Sequence, residues 1–252
     1  MLIFEKNHSF TESRDKMTFS EKLYNEAKSV GVELSKKALE NFKTYYDMLI
    51  EYNEKMNLTA ITEESEVIVK HFADSLCLLS KVGIKENAKV IDVGTGAGFP
   101  GIPLLIARPD IRLTLLDGLN KRLLFLADVL DKIGLTAEIL HSRAEEGANN
   151  QKYREKFDFV TSRAVARQSV LCEYCLPYTK VGGLFVAMKG PKAAEELSES
   201  SKGISLLGGK VKEVIEYSLS DESSRSLIVT EKISKTPAKY PRHNSQIKNK
   251  PL

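Results

Sequence analysis

The chain lacks most of what would mark a secreted, membrane-spanning or fibrous protein. Its 252 residues include three cysteines, Cys77, Cys172 and Cys175, too few and odd in number for a disulfide framework. No apolar run approaches the roughly 20 residues that span a bilayer, so no membrane association is expected. The opening MLIFEKNHSF is too short and too soon charged for a signal peptide. Neither sign of charge dominates: 37 Lys and Arg against 34 Asp and Glu leave a net charge of +3. That balance permits a nucleic acid partner without arguing for one. There is no internal repeat and no low-complexity tract. These absences point to a cytoplasmic protein. A hydrophobic content of 42% can build an ordinary core without metal or disulfides.

What is present divides the chain into four parts. Residues 1–16 show no sustained period and read as a loose extension or an alternative start before Met17. Residues 17–80 read as helical. Thr18, Ser20 and Glu21 form a helix start. Leu39, Phe42, Tyr46, Leu49, Ile50 and Met56 recur at helical spacing behind Ser35, an N-cap. A further helix follows Thr62. Across 81–235 the pattern alternates. Strands at 88–92, 113–116, 137–140, 157–161 and 184–188 are interleaved with helices, one of them ending at Gly134. Gly182-Gly183 reads as the turn before the fifth strand. Such alternation implies an α/β fold with a mostly parallel, doubly wound sheet. Stretches 210–218 and 226–233 then read as an antiparallel hairpin at the sheet edge. Residues 236–252 read as a basic tail, because 232–252 holds six Lys or Arg and no acid.

The strongest local signal is VIDVGTGAGFPGIP at 90–103, which leaves a strand and enters a helix. Gly94, Gly96 and Gly98 let the backbone turn and come close to a ligand. The helix N-terminus beyond them suits an anionic group such as an amino-acid carboxylate. The same run satisfies the dinucleotide pattern G-x-G-x-x-G, which makes a dehydrogenase a rival. Asp92 separates the two readings. A carboxylate there repels a pyrophosphate and attracts a cationic amine, such as the ammonium of S-adenosyl-L-methionine. Asp117 ends the second strand, where a carboxylate can hold a ribose diol; capping the next helix is the plainer alternative. Ala144 and Glu145 follow the third strand, where a backbone N–H and an acid can read an adenine edge. A solvated turn would look similar.

Together these residues resemble the ribosomal RNA small subunit methyltransferase G family, also called glucose-inhibited division protein B. The resemblance runs from about Phe19 to Leu252. It rests on Asn53-Glu54-Lys55-Met56-Asn57-Leu58-Thr59-Ala60-Ile61, on His71, Asp74, Ser75 and Leu76, and on the loop from Asp92 to Gly101. Leu116-Asp117, Ser142-Arg143-Ala144-Glu145, Ser162-Arg163-Ala164 and Met188-Lys189-Gly190 complete it. It implies a class I methyltransferase (Rossmann-like) fold with an N-terminal helical extension. It also implies S-adenosyl-L-methionine as cofactor, and N7 methylation of guanine-527 in the 530 loop of 16S ribosomal RNA. Carried over by position, Gly94, Phe99, Asp117, Ala144, Glu145 and Arg163 would contact the cofactor. The C-terminus departs from the family pattern. Tyr240-Pro241-Arg242, Lys250 and Pro251-Leu252 are kept, but Ser245 and Ile247 replace a Gly and a Pro.

Guanine N7 carries a lone pair at neutral pH, so no general base is expected. The fourth strand ends in Ser162-Arg163-Ala164, without the acid or amide that many amine methyltransferases place there. In-line positioning with water excluded is then the expected source of rate. Lys189, Lys239, Tyr240, Arg242 and Lys250 are candidate RNA contacts, with Tyr240 as a stacking face. The partner implied is 16S RNA or the small ribosomal subunit, met by a monomer. His71 with Asp74 and Ser75 suggests a polar network beside the loop. Cys172 and Cys175 lack a second ligand pair and read as buried thiols, with no metal. A small-molecule methyltransferase and a noncatalytic RNA-binding assembly protein remain open as alternatives.

Overall fold

The computed structural model describes residues 17–252; the expected extension at 1–16 lies outside them. The N-terminal helices form where capping and period agree. Helix α1 (Phe19–Ser29) opens on a reciprocal capping box between Thr18 and Glu21. Helix α2 (Lys36–Met56) is capped by the Ser35 hydroxyl and ends at Asn57 in a left-handed conformation. Helix α3 (Glu64–Val67) is capped by Glu63. It runs through a π-helical segment (Ile68–Ala73) into α4 (Asp74–Lys81).

The strands β1 (Lys89–Val93), β2 (Arg112–Asp117), β3 (Glu138–His141), β4 (Phe157–Arg163) and β5 (Thr179–Lys189) are parallel. The edge hairpin, β6 (Gly209–Ser218) and β7 (Ser224–Lys232), joins with β7 antiparallel to β5. The order is β3-β2-β1-β4-β5-β7-β6. One expectation is corrected. Gly182-Gly183 lies inside β5, where the register slips between the Phe157–Thr179 and Phe159–Leu184 pairs. The turn sits within the span of the strand, at an irregularity in its pairing with β4, instead of preceding the strand. A Cβ at Gly183 would meet the Asp158 carbonyl at 2.9 Å.

Both sheet faces are covered, as parallel strands require. Val90, Leu113, Leu115 and Val186 face one core, shared with α1, α2, the π-helical segment, α5 (Gly101–Ala107) and α6 (Asn120–Ile133). Ile91, Leu116, Phe185 and Ile228 face the other. That core is closed by α7 (Ala144–Asn149), α8 (Gln168–Cys175) and α9 (Ala193–Leu206). The order reverses between β1 and β4, which opens a crevice at their carboxyl ends.

Residues 236–252 are not a separate tail. Tyr240 and Ile247 are buried in the second core, and α10 (Asn244–Asn249) packs against α8.

Candidate active site

A cleft of about 490 Å³ opens at that crevice, within the usual range of small-ligand sites. Its floor is the glycine loop. Gly94, Gly96 and Gly98 have φ of 73°, 59° and 106°. A Cβ on Gly94 would meet Val165 Cγ2 at 2.5 Å, whereas one on Gly96 would meet nothing within 4 Å. Most loop amides are already used. Gly94 and Thr95 donate to the Leu116 carbonyl, Gly96 to Asp117, and Gly98 and Phe99 to the Thr95 carbonyl.

Seven of the expected cofactor residues, Gly94, Gly96, Phe99, Asp117, Ala144, Glu145 and Arg163, come together on this cleft. Asp117 also performs loop work. Its Oδ2 accepts from Gly96 N at 3.0 Å and its Oδ1 from Leu119 N at 2.8 Å. Asp92 does not join them. It is fully buried beneath the loop, where Oδ2 accepts from Thr95 Oγ1 at 2.7 Å and from Gly101 N at 3.0 Å. Burial pushes its carboxyl up to about 6. Asp92 therefore ties the two ends of the loop; the expected face-to-face attraction for an ammonium is not what its placement offers. Its Oδ1 is buried without a partner among the described residues.

Arg163 is held on three sides. Nη1 donates to Asp74 at 3.0 Å and to the Lys70 carbonyl at 2.9 Å, and Nη2 lies 3.2 Å from His71 Nδ1. The guanidinium sits 5.0 Å from the Phe99 ring centre, a cation–π distance. His71 lies against the same ring, centre to centre 4.4 Å. Burial and the neighbouring Arg163 bring the His71 imidazole down to about 3, so it is neutral and a weak base. The expected polar network beside the loop is present, and Tyr217 of β6 joins it by donating to Asp74 at 2.8 Å.

The expected RNA contacts fare unevenly. Lys189 Nζ donates to Glu196 and to the Ala166 carbonyl, both at 2.8 Å, with its side chain 9% exposed. Arg242 makes a two-pronged pair with Glu173, which is fully buried. Tyr240 is 6% exposed and offers no open stacking face. These three are corrected to structural roles, because internal partners take their charge or their ring. Lys239 and Lys250 are exposed. Cys172 and Cys175 are buried free thiols, as expected.

Several cleft residues were missed by reading the sequence. Arg122 and Arg143 bring positive charge to the wall, and Leu58 and Thr59 close one side. Asn244 and Lys248 reach it from the C-terminal segment, with Asn244 accepting from Tyr174 at 2.8 Å. Tyr45 of α2 donates to the Ala97 carbonyl at 2.6 Å, bolting the helical extension to the loop. Only the motif context of Leu58-Thr59 and Arg143 could have pointed to any of these.

The strand order and the cleft define a class I methyltransferase architecture. Two solved structures share it: TrmN from Thermus thermophilus (TM-score 0.51, 15% identity, 66% of this chain and 53% of that one) and a Listeria monocytogenes protein assigned to the class I S-adenosylmethionine-dependent methyltransferases (TM-score 0.54, 15% identity, 77% and 69%). At such identity they show the fold alone. The family model for GidB, rRNA small subunit methyltransferase G, matches residues 38–227. Proteins named ribosomal RNA small subunit methyltransferase G from Clostridium beijerinckii and Lactobacillus acidophilus are 48% and 51% identical to this chain. They cover 94% and 87% of it, and 100% and 93% of their own lengths. The chain belongs to the ribosomal RNA small subunit methyltransferase G family.

Proposed function

We propose that the cleft binds S-adenosyl-L-methionine and that the enzyme methylates N7 of guanine-527 in the 530 loop of 16S ribosomal RNA. The observation that carries this is the family match, at about half identity, across every strand that builds the cleft.

The chain's residues fit that cofactor. The open position at Gly96 is a cradle that any Cβ would narrow. Asp117 keeps lone pairs for a ribose diol beyond its bonds to the loop. Ala144 and Glu145 begin α7, where the first amides of a helix lack internal acceptors. When bound, the cofactor supplies an electrophilic methyl group on a sulfonium.

The protein's part is to position and to exclude water. Phe99, stacked against His71 and Arg163, gives the cleft a rigid wall. A neutral, weakly basic His71 cannot serve as a strong base, and N7 requires none. Arg122, Arg143 and Lys248 place positive charge where an RNA backbone would enter. On this reading the enzyme acts as a monomer on RNA or the small subunit in the cytoplasm.

The test is mapping of N7-methylguanine, by borohydride reduction and aniline cleavage, in 16S RNA from cells with and without this protein. A scission at guanine-527 that depends on the protein is expected. Its presence in both would remove the reading.

A further inference from the structure

Two adjacent residues of α8 hold the C-terminal segment. Glu173 takes the two-pronged bond from Arg242, and the Tyr174 hydroxyl bonds the Asn244 carboxamide at 2.8 Å. Ile247 is fully buried, and its N–H donates to the His243 carbonyl at 3.1 Å. A proline at 247 could not make that bond. The segment therefore turns as α10 and carries Asn244 to the cleft, which it lines together with Tyr174, Ala144 and Glu145. Burial and the nearby Glu145 carboxylate push the Tyr174 phenol up to about 12, so its hydroxyl keeps its proton. A carboxamide nitrogen carries two hydrogens, and the one hydroxyl oxygen can take at most one of them. Whichever way the amide is turned, at least one Nδ2–H is left without a partner among the described residues.

We propose that Asn244 binds the adenine of the cofactor, donating this N–H to a ring nitrogen. The ring nitrogens of adenine accept, whereas its 6-amino group donates. The Glu145 carboxylate can accept from the amino group but has no proton to give the ring, and its charge repels an RNA phosphate. A neutral donor beside that carboxylate suits a base. The role deepens the cofactor reading above and rests on it.

The test is calorimetry on the full-length protein with S-adenosylhomocysteine and with three analogues in which N1, N3 or N7 is replaced by C–H. Asn244→Ala should weaken S-adenosylhomocysteine by about 3- to 10-fold, the net worth of one hydrogen bond. One of the three analogues should bind the wild type more weakly by that factor and be indifferent to the alanine substitution. Asn244→Asp keeps an oxygen for Tyr174 and removes the N–H. At pH 8 it should lose at least as much affinity, and it reads the same donor if the alanine variant fails to fold. Unchanged affinity for S-adenosylhomocysteine in the folded variants overturns the inference, and weaker binding of 16S RNA alongside it would hand the side chain to the RNA. An equal loss on all three analogues also overturns it, by reducing Asn244 to a brace for Tyr174. A wild-type protein that binds neither S-adenosylmethionine nor S-adenosylhomocysteine removes the cofactor reading itself.

Discussion

Two regions reach the same cleft by opposite routes. The glycine loop gets there through its own backbone: three positive φ angles and a set of amides bonded within about 25 residues of sequence. The segment 236–252 gets there through partners far away in the chain. Arg242 reaches Glu173, the Tyr240 carbonyl accepts from Arg154, and Ile247 enters the second core. The loop obeys rules that single residues carry. The segment obeys none, since its four cations look like a solvated tail until their partners are placed.

The largest effect tests that contrast directly. Truncation after Lys235 should unfold the domain, because it removes Tyr240 and Ile247 and strips Glu173 and Lys232 of partners. The loss should reach at least about 5 kcal/mol, the low end of whole-domain stability. Near-UV circular dichroism and urea titration check it. Arg242→Ala should alone cost about 3 kcal/mol, since it leaves the Glu173 charge buried without its ion-pair partner. A truncated protein that melts like the full chain would return the segment to water.

Within the loop, Gly98→Ala and Gly96→Ala should part company. A Cβ at Gly98 would sit 2.7–2.8 Å from Tyr45 Oη, Ile102 Cγ1 and Leu126 Cδ2. Overpacking of that kind costs about 1–3 kcal/mol, on top of the backbone strain. Gly96→Ala carries the strain alone, about 1–2 kcal/mol, and should act chiefly on cofactor affinity. Thermal melts and calorimetry on both variants separate the two. Equal destabilisation would mean that the loop is not braced by α2 and α6.

How much was legible follows from the same division. Thr18 and Glu21, Ser35, Gly134 and the loop glycines act through bonds to near neighbours, so their positions spoke for them. The sheet followed from alternation, and the edge hairpin from the loss of it. The direction of Asp92 is not legible, because a residue's position along a strand does not say which side of the loop its carboxylate will face. Lys189, Arg242 and Tyr240 were read as exposed because Glu196, Glu173 and the second core are distant in sequence. Thr59 carried only the motif around it, since its contact with His71 joins segments 12 residues apart.

The remaining charge of residues 232–252 can be weighed by salt. Lys232 and Arg242 are paired internally, which leaves Lys235, Lys239, Lys248 and Lys250 exposed. Six phosphate contacts would give a slope of log affinity against log salt of about −4 on single strands; four give about −3 at most. Replacing those four lysines with serine should flatten the slope by up to about 3 while the melting temperature stays nearly unchanged. An unaltered slope would place the RNA on the arginines of the cleft wall instead.

The smallest effect lies under the loop, where two groups titrate against each other. His71 falls from 6.5 to about 3 in the folded protein, so its contribution is complete above pH 6.5 and is lost as pH falls. Asp92 rises from 3.8 to about 6, so its contribution is complete below pH 3.8 and is lost as pH rises through 6. Between about pH 4 and 6 the two slopes have opposite sign and similar size, each about 1.4 kcal/mol per pH unit. Stability contributed by this pair should therefore be nearly flat across that window. Asp92→Asn removes one arm and keeps an oxygen for Thr95 and Gly101. The variant should gain a positive slope of about 1 kcal/mol per unit relative to wild type, read from urea midpoints at matched m-values. Parallel pH profiles for the two proteins would mean that Asp92 stays ionised throughout. In that case Thr95 and Gly101 hold the charge more strongly than burial opposes it.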